Sequence, residues 1–408
     1  MIVVADRLVH RAGRGEAGGD ALVRAASAAG HGARVRDLVG NDQPLVAGED
    51  VELILWAADY GALHVLAYRL DAYLPSRAES GSADPVRASL EIARGWMGAE
   101  PVAELRRRLA DADAVAERDT VQADFHGEVD RVRVTAADGR WAEVQTAHPA
   151  IVTHLEVCAG IDTSRDQLMA RALMDRDSDS VNWVESWYTV RNKPDAEATV
   201  RWAAGVLADP DPDARRFAAE VLHSLAIDPA PARAEALTIL RSRLTAEPDA
   251  GVLVSLIAAG ANYHGPGTLP EIVAHAGNPD PRVRRQVAQE LGFALLDPAS
   301  VPEGTGLLAE LGVDPDGRVR VAALRALRSY AFDHPVTGQV VAANRDDPDP
   351  GVRPEVLMAL SQGGDREACA ELTRLGAEAG QGSQLAMMAH DAKRWIVKAE
   401  SSDPDPHR

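Results

Sequence analysis

Aromatic residues make up only 4% of this 408-residue chain, and cysteine occurs twice, as Cys158 and Cys369. Two thiols so far apart in sequence support neither a disulfide framework nor a cysteine metal site, and they fit a reducing, cytoplasmic setting. Lysine is restricted to Lys193, Lys393 and Lys398, with arginine in its place, which reads as the bias of a high-GC genome. Positive charge is short overall: 43 Lys and Arg face 62 Asp and Glu, a formal net charge of −19 that both halves share. That field opposes a general phosphate-binding surface, because nucleic-acid affinity comes largely from basic side chains neutralising phosphates. No run of 18 apolar residues occurs, so no membrane-spanning helix is expected. The start, Met1 to His10, soon turns polar and does not read as a secretory signal.

What the chain does have is 46% hydrophobic residues, alanine prominent among them. That is enough for a large core and suits close-packed helices, since alanine costs least in a helix and lets neighbouring axes approach. The expected fold class is mostly α.

After residue 205 one short pattern recurs five times: Pro-Asp, two residues, an apolar residue, then usually Arg. It reads Pro210-Asp211 with Ala214-Arg215, Pro248-Asp249 with Val252-Leu253, Pro279-Asp280 with Val283-Arg284, Pro315-Asp316 with Val319-Arg320, and Pro348-Asp349 with Val352-Arg353, at Asp spacings of 38, 31, 36 and 33 residues. Each Asp stands where a helix should begin. A carboxylate there accepts bonds from free backbone amides and meets the positive end of the helix dipole, and Pro212, Pro281 and Pro350 follow at the position that tolerates proline. Apolar residues then return at helical spacing: Val283, Val287 and Leu291; Val319, Ala323 and Leu327; Val352, Val356 and Leu360. Room for a second helix lies between, as in Ala234 to Arg243 or Leu269 to Ala276. Two-helix units of this size must stack on neighbours to bury their stripes.

These residues resemble bacterial HEAT-type repeats. The resemblance implies that the repeated Asp and Arg form ladders between adjacent repeats, a structural role for Asp211, Asp249, Asp280, Asp316 and Asp349 with Arg215, Arg284, Arg320 and Arg353. Leu253 replaces the arginine in one copy, so the ladder should break there. A degenerate earlier copy is expected near Asp177, with Val181, Val184 and Tyr188 on its stripe, and a last helix pair is expected to end near Lys398.

The N-terminal part reads differently. Ala26, Ser27, Gly30 and His31, followed by Val35, Leu38 and Val39, resemble an ankyrin helix-turn-helix core. A second copy places Ala57, Ala58 and Gly61 before Val65, Leu66 and Leu70. Both depart from the ankyrin Thr-Pro-Leu-His opening, having Ala21 to Arg24 and Leu53 to Trp56 instead. A third helical pair spans Pro85 to Arg94 and Pro101 to Leu109. Val129 to Val134 alternates, turns through an Asp-Gly pair and returns through Trp141 to Val144, which reads as a single β-hairpin. The expected organisation is ankyrin-like helical repeats over 1–118, a β-hairpin connector over 119–150, a HEAT-like α-solenoid over 151–398 and a disordered tail over 399–408. The whole is similar to ankyrin-plus-HEAT proteins of high-GC Gram-positive, actinobacterial-like organisms, a resemblance that implies no known activity.

Motifs for chemistry are missing. There is no phosphate-binding loop, Gly-x-Ser-x-Gly elbow, His-Glu-x-x-His or Cys-x-x-Cys, so no catalytic residue, metal ligand or cofactor is assigned. None of the 12 histidines precedes a glutamate, which sets aside the HEAT-type di-iron hydroxylases. His126, His148 and His154, with Asp124 and Glu156, flank the hairpin and read either as ordinary surface and capping groups or as a convergent site. Trp183, Trp187, Tyr188, Arg191 and Trp202 form the densest aromatic group. Core packing, a protein-binding hot spot and a base-stacking pocket are all open readings of it.

The function expected is a non-catalytic interaction scaffold that binds a protein or peptide on a concave surface formed by the second helices of the HEAT pairs. The acidic field would steer a basic partner. The alternative is an enzyme on a HEAT scaffold, either a DNA glycosylase-like repair protein or a small-molecule lyase.

Overall fold

The computed structural model describes residues 49–76, 85–122, 128–226, 232–380 and 382–402. The first ankyrin-like copy, Ala26 to Val39, lies outside them. The chain divides into two compact units, Met1–Trp202 and Ala203–Arg408.

In the first unit, α1 (Glu49–Tyr60) and α2 (Leu63–Ser76) form a helical hairpin. Gly61 turns it at a φ of +83°, and a Cβ there would lie 2.0 Å from the Gln145 carbonyl oxygen, so only glycine fits. Beyond it come α3 (Pro85–Met97), α4 (Pro101–Leu109), three strands, α5 (His148–Cys158), α6 (Arg165–Ala172) and α7 (Val181–Arg191). Helix α1 packs on α3, α3 on α5 and α5 on α7. Their shared core holds Leu53, Ile54, Leu66, Leu70, Ile151 and Leu155.

The β-structure is a three-stranded antiparallel sheet in the order β1 (Val115–Gln122), β2 (Glu128–Thr135), β3 (Trp141–Gln145), not a lone hairpin. The turn after Ala136 and the inward Val132, Val134 and Val144 lie where alternation placed them. Strand β1 left no such signal because Val115 to Thr120 are all exposed, so nothing selects an apolar alternation. Pairing with β2 holds it instead, from Val115 opposite Thr135 to Gln122 opposite Glu128, with cross-strand bonds from Arg131 to Asp119 and from Thr120 to Asp130. The covered face packs on Trp96, Leu105 and Leu109.

The second unit alternates two ranks of helices. The Asp-led rank is α9 (Pro212–Leu225), α11 (Ala250–His264), α13 (Pro281–Ala294), α15 (Gly317–Tyr330) and α17 (Val352–Gln362). The intervening rank is α10 (Arg233–Leu244), α12 (Pro270–Val273), α14 (Val301–Leu311) and α16 (Pro335–Ala343). Helix α8 (Ala196–Val206) precedes them. Two helices, α18 (Arg366–Ala379) and α19 (Gln384–Ser402), close the unit. Helix α19 runs past Lys398, where the sequence pattern ended it, and the rest of the expected tail lies outside the described residues. The expected stripes lie in the core except at one end: Val283, Val287, Val319, Ala323, Leu327 and Val352 are fully buried, with Leu291 and Val356 at 2%, while Leu360 is partly buried. Asp-led helices pack directly on one another, α9 on α11, α11 on α13, α13 on α15, whereas members of the intervening rank, which are shorter, touch much less.

The ladder is present, with a different carboxylate from the one expected. Four of the repeated aspartates are N-caps that bond their own helices: Asp211 accepts from the Asp213 amide at 3.0 Å, Asp249 from Val252 at 3.0 Å, Asp280 from Arg282 at 2.8 Å and Asp316 from Arg318 at 2.8 Å; at the fifth copy Gly351 caps α17 without a side-chain bond, and Asp349 accepts from the Gly351 amide at 2.8 Å, ahead of the helix. The rungs between repeats run from Arg215 to Glu247, Arg284 to Asp314 and Arg320 to Asp347, each at 2.7 Å. Those carboxylates stand two residues before the next repeated Asp. Each of the three arginines also donates to two carbonyls of its own loop, such as Asn278 and Pro279 for Arg284. A cap needs proximity to its own amides, and that keeps the N-cap carboxylate from reaching the neighbouring repeat. At Leu253 the rung is lost from both sides, because the position opposite is Asn278, an amide. Arg353 reaches Glu371 of α18 instead.

Candidate binding groove

The ladder sets α13, α15 and α17 side by side and leaves one face of each outside the core. Across those faces runs a groove of about 920 Å³, bounded on its far side by Gln384, Leu385 and Met388 of α19. A second hollow of about 610 Å³ adjoins it, sharing Arg325, Glu355, Gln384 and Met388 and adding Arg328 and Trp395. Helix periodicity aims these side chains. On α15 the buried stripe is Val319, Ala323 and Leu327, so Arg318, Val321, Arg325 and Ser329 fall on the opposite face. On α13, Arg284 points into the ladder while Arg285, about 100° further round the helix, enters the groove. The N-terminal edge is tight: a Cβ on Gly317 would lie 1.8 Å from an Asp349 oxygen.

Glu355, 3% exposed, is the charged centre of the floor. It accepts from Arg325 Nε at 3.0 Å and lies 3.6 Å from Arg328. Glu290 is largely shielded from water, and burial raises its carboxyl to about 7 despite a bond from Gln286 at 2.7 Å. Tyr330, 46% exposed, and the partly covered Met388 and Trp395 supply apolar surface. Arginine, tyrosine and tryptophan beside methionine are the residue types that dominate protein-binding hot spots. Sequence reasoning did not single out Arg285, Arg325, Glu290, Glu355 or Tyr330, although the arginines at positions 318, 325 and 328 trace the face opposite a clear apolar stripe.

The sequence-predicted aromatic group is divided. Trp183 is 1% exposed and belongs to the core, so it offers no surface to a partner. The exposed residue is Tyr188, at 53%, which puts it off the apolar stripe expected for the degenerate copy; Ser180, not Asp177, caps that helix. Trp187 is partly covered, its ring 6.5 Å from that of Tyr188, and Arg191 lies at the end of the same helix. Trp202 donates its indole N–H to Asp166 at 2.7 Å.

Of the histidine group, His126 and Asp124 lie outside the described residues. The other members have separate partners. His148 is buried, stacked on Trp96 at 4.9 Å, and burial depresses it to about 4. His154 meets Glu185 at 3.1 Å; burial opposes its charge, but Cys158 and Glu185 raise it to about 10. Glu156 accepts from Arg94, Arg171 and Thr163. Among the described residues no three His, Cys, Asp or Glu side chains are grouped to hold a metal ion, and no helix is long and apolar enough to cross a membrane.

The fold and the groove define a helical repeat protein. Residues 304–389, from α14 into α19, match the family model for HEAT repeats. No curated protein matches the chain. Among solved structures, the E. coli protein YibA is 19% identical with a TM-score of 0.42, covering 58% of this chain and 93% of its own. An engineered protein is 16% identical with a TM-score of 0.37, covering 98% of this chain and 100% of its own. Both likenesses are too slight to carry an argument. The ankyrin resemblance of the N-terminal helices gains no support from these matches.

Proposed function

We propose that the chain is an interaction scaffold whose HEAT repeats bind a segment of another protein along the groove of α13, α15 and α17. The observation that carries this reading is the groove itself. It crosses three successive repeats, so its walls are fixed by the ladder, and its lining mixes arginine with Tyr330, Met388 and Trp395. Rigid walls lower the ordering cost of binding, and such side chains give much contact for little lost freedom. The surface proposed is thus that of the Asp-led helices, in place of the second helices named from the sequence.

Affinity capture with three forms tests this: the intact chain, Met388→Glu in the groove and Tyr188→Ala on the other unit. The expected result is one protein retained by the intact chain and by Tyr188→Ala but released by Met388→Glu. Equal retention by all three, or retention of nucleic acid alone, would sink the proposal.

A further inference from the structure

Carboxylates outnumber basic side chains in this protein by 62 to 43. Helices α13 and α15 carry seven arginines, and five of them are engaged: Arg282 with Asp280, Arg284 with Asp314, Arg320 with Asp347, and Arg325 and Arg328 with Glu355. Arg285 and Arg318 have no carboxylate partner among the described residues, and both line the groove. Arg285 is half-buried, and its Nε is a shielded donor with no acceptor. Leaving such a donor unmade is costly, and a carboxylate is among the strongest acceptors a guanidinium can meet.

We propose that the groove takes an acidic peptide segment of its partner, with carboxylates on Arg285 and Arg318 and an apolar side chain against Tyr330 and Met388. The inference rests on the groove being the docking surface and adds the partner's chemistry. It reverses the charge expected from the net −19, which governs distant encounter; the groove lining carries Asp349, Glu290 and Glu355 beside Arg285, Arg318 and Arg325, so the peptide's carboxylates are directed locally, to the two arginines without a carboxylate partner among the described residues. The arginine fork matches a carboxylate with two parallel bonds, which fixes orientation as well as charge, and a half-covered site screens those bonds less than open water.

The test pans a display library of random dodecapeptides on the full chain, then measures the enriched peptides by fluorescence anisotropy against R318E, R285Q and M388E. R318E changes an exposed side chain, so its fold is expected to survive, and thermal melting checks each variant. The expected outcome is enrichment of acidic peptides that bind at least tenfold more weakly to R318E and R285Q, and that lose affinity stepwise as their own acidic residues are replaced by amides. Enrichment of basic or neutral peptides that are released by M388E but indifferent to R318E overturns the acidic partner and leaves the groove reading standing. Peptides whose binding ignores all three variants overturn both.

Discussion

The two units solve the same problem, tying stacked helices together with buried charge, in opposite ways. The second unit repeats one device at three junctions, Arg215 to Glu247, Arg284 to Asp314 and Arg320 to Asp347. The first unit uses single-occurrence clusters. Asp59 receives two bonds from Arg108 and one from the Trp96 indole, and His148 stacks on that indole. Glu143 takes the Tyr60 hydroxyl and Arg133. A device repeated along a chain fails one junction at a time, because each repeat contacts only its neighbours. A device used once holds several elements together and fails for all of them.

Glu143→Ala should give the largest effect. It strands the buried Tyr60 hydroxyl and takes the carboxylate from the half-exposed Arg133, so the first unit should lose about 3 kcal/mol. Hydrogen exchange should show protection falling together in α1, β2 and β3. Loss confined to one strand would break the contrast between the units.

Acid should come next. His148 is depressed from 6.5 to about 4, so the unfolded chain binds the proton more readily than the folded one. The stabilisation is complete above 6.5 and is lost as pH falls toward 4, on the order of 3 kcal/mol in all. Glu290 in the second unit has the opposite sign. Its carboxyl is raised from 4.5 to about 7, so its contribution is complete below 4.5 and is lost as pH rises to about 7, by a similar order. Glu290→Gln should therefore stabilise the second unit at pH 8 and leave it unchanged at pH 4. Unfolding curves with equal differences at the two pH values would refute that assignment.

Arg284→Ala leaves Asp314 shielded without its partner, and a loss of about 2 kcal/mol is expected. Exchange should rise at the junction of α13 and α15 while α9 and α11 keep their protection; a unit-wide rise would show that the rungs are not independent. The smallest effect concerns the missing rung. Leu253→Arg with Asn278→Asp should couple favourably by about 1 kcal/mol in a double-mutant cycle, the two single changes being neutral or unfavourable. Zero coupling would mean that this junction has a different geometry from the other three.

The same contrast explains what could be read from the residues. The stripes Val283, Val287, Leu291 and Val319, Ala323, Leu327 were legible because each repeat states the period again, and the N-cap aspartates because capping is local. The partners Glu247, Asp314 and Asp347 were not, since the resemblance attached the ladder to the aspartates two positions on. Strand β1 was hidden because edge pairing requires no apolar face, and Trp183 was ambiguous because its spacing serves core and surface alike. Of the groove, only the arginine face of α15 left a pattern.

The sequence by itself determined the helical class, the repeat length, the helix starts and the buried stripes, because these depend on backbone capping and on periodicities within a few turns. Tertiary structure alone decided which carboxylate meets each arginine, which rank of helices carries the groove, and that Arg285 and Arg318 line it without a carboxylate partner among the described residues. Those facts depend on distances between residues about thirty positions or more apart, which the stacking of one repeat on the next sets.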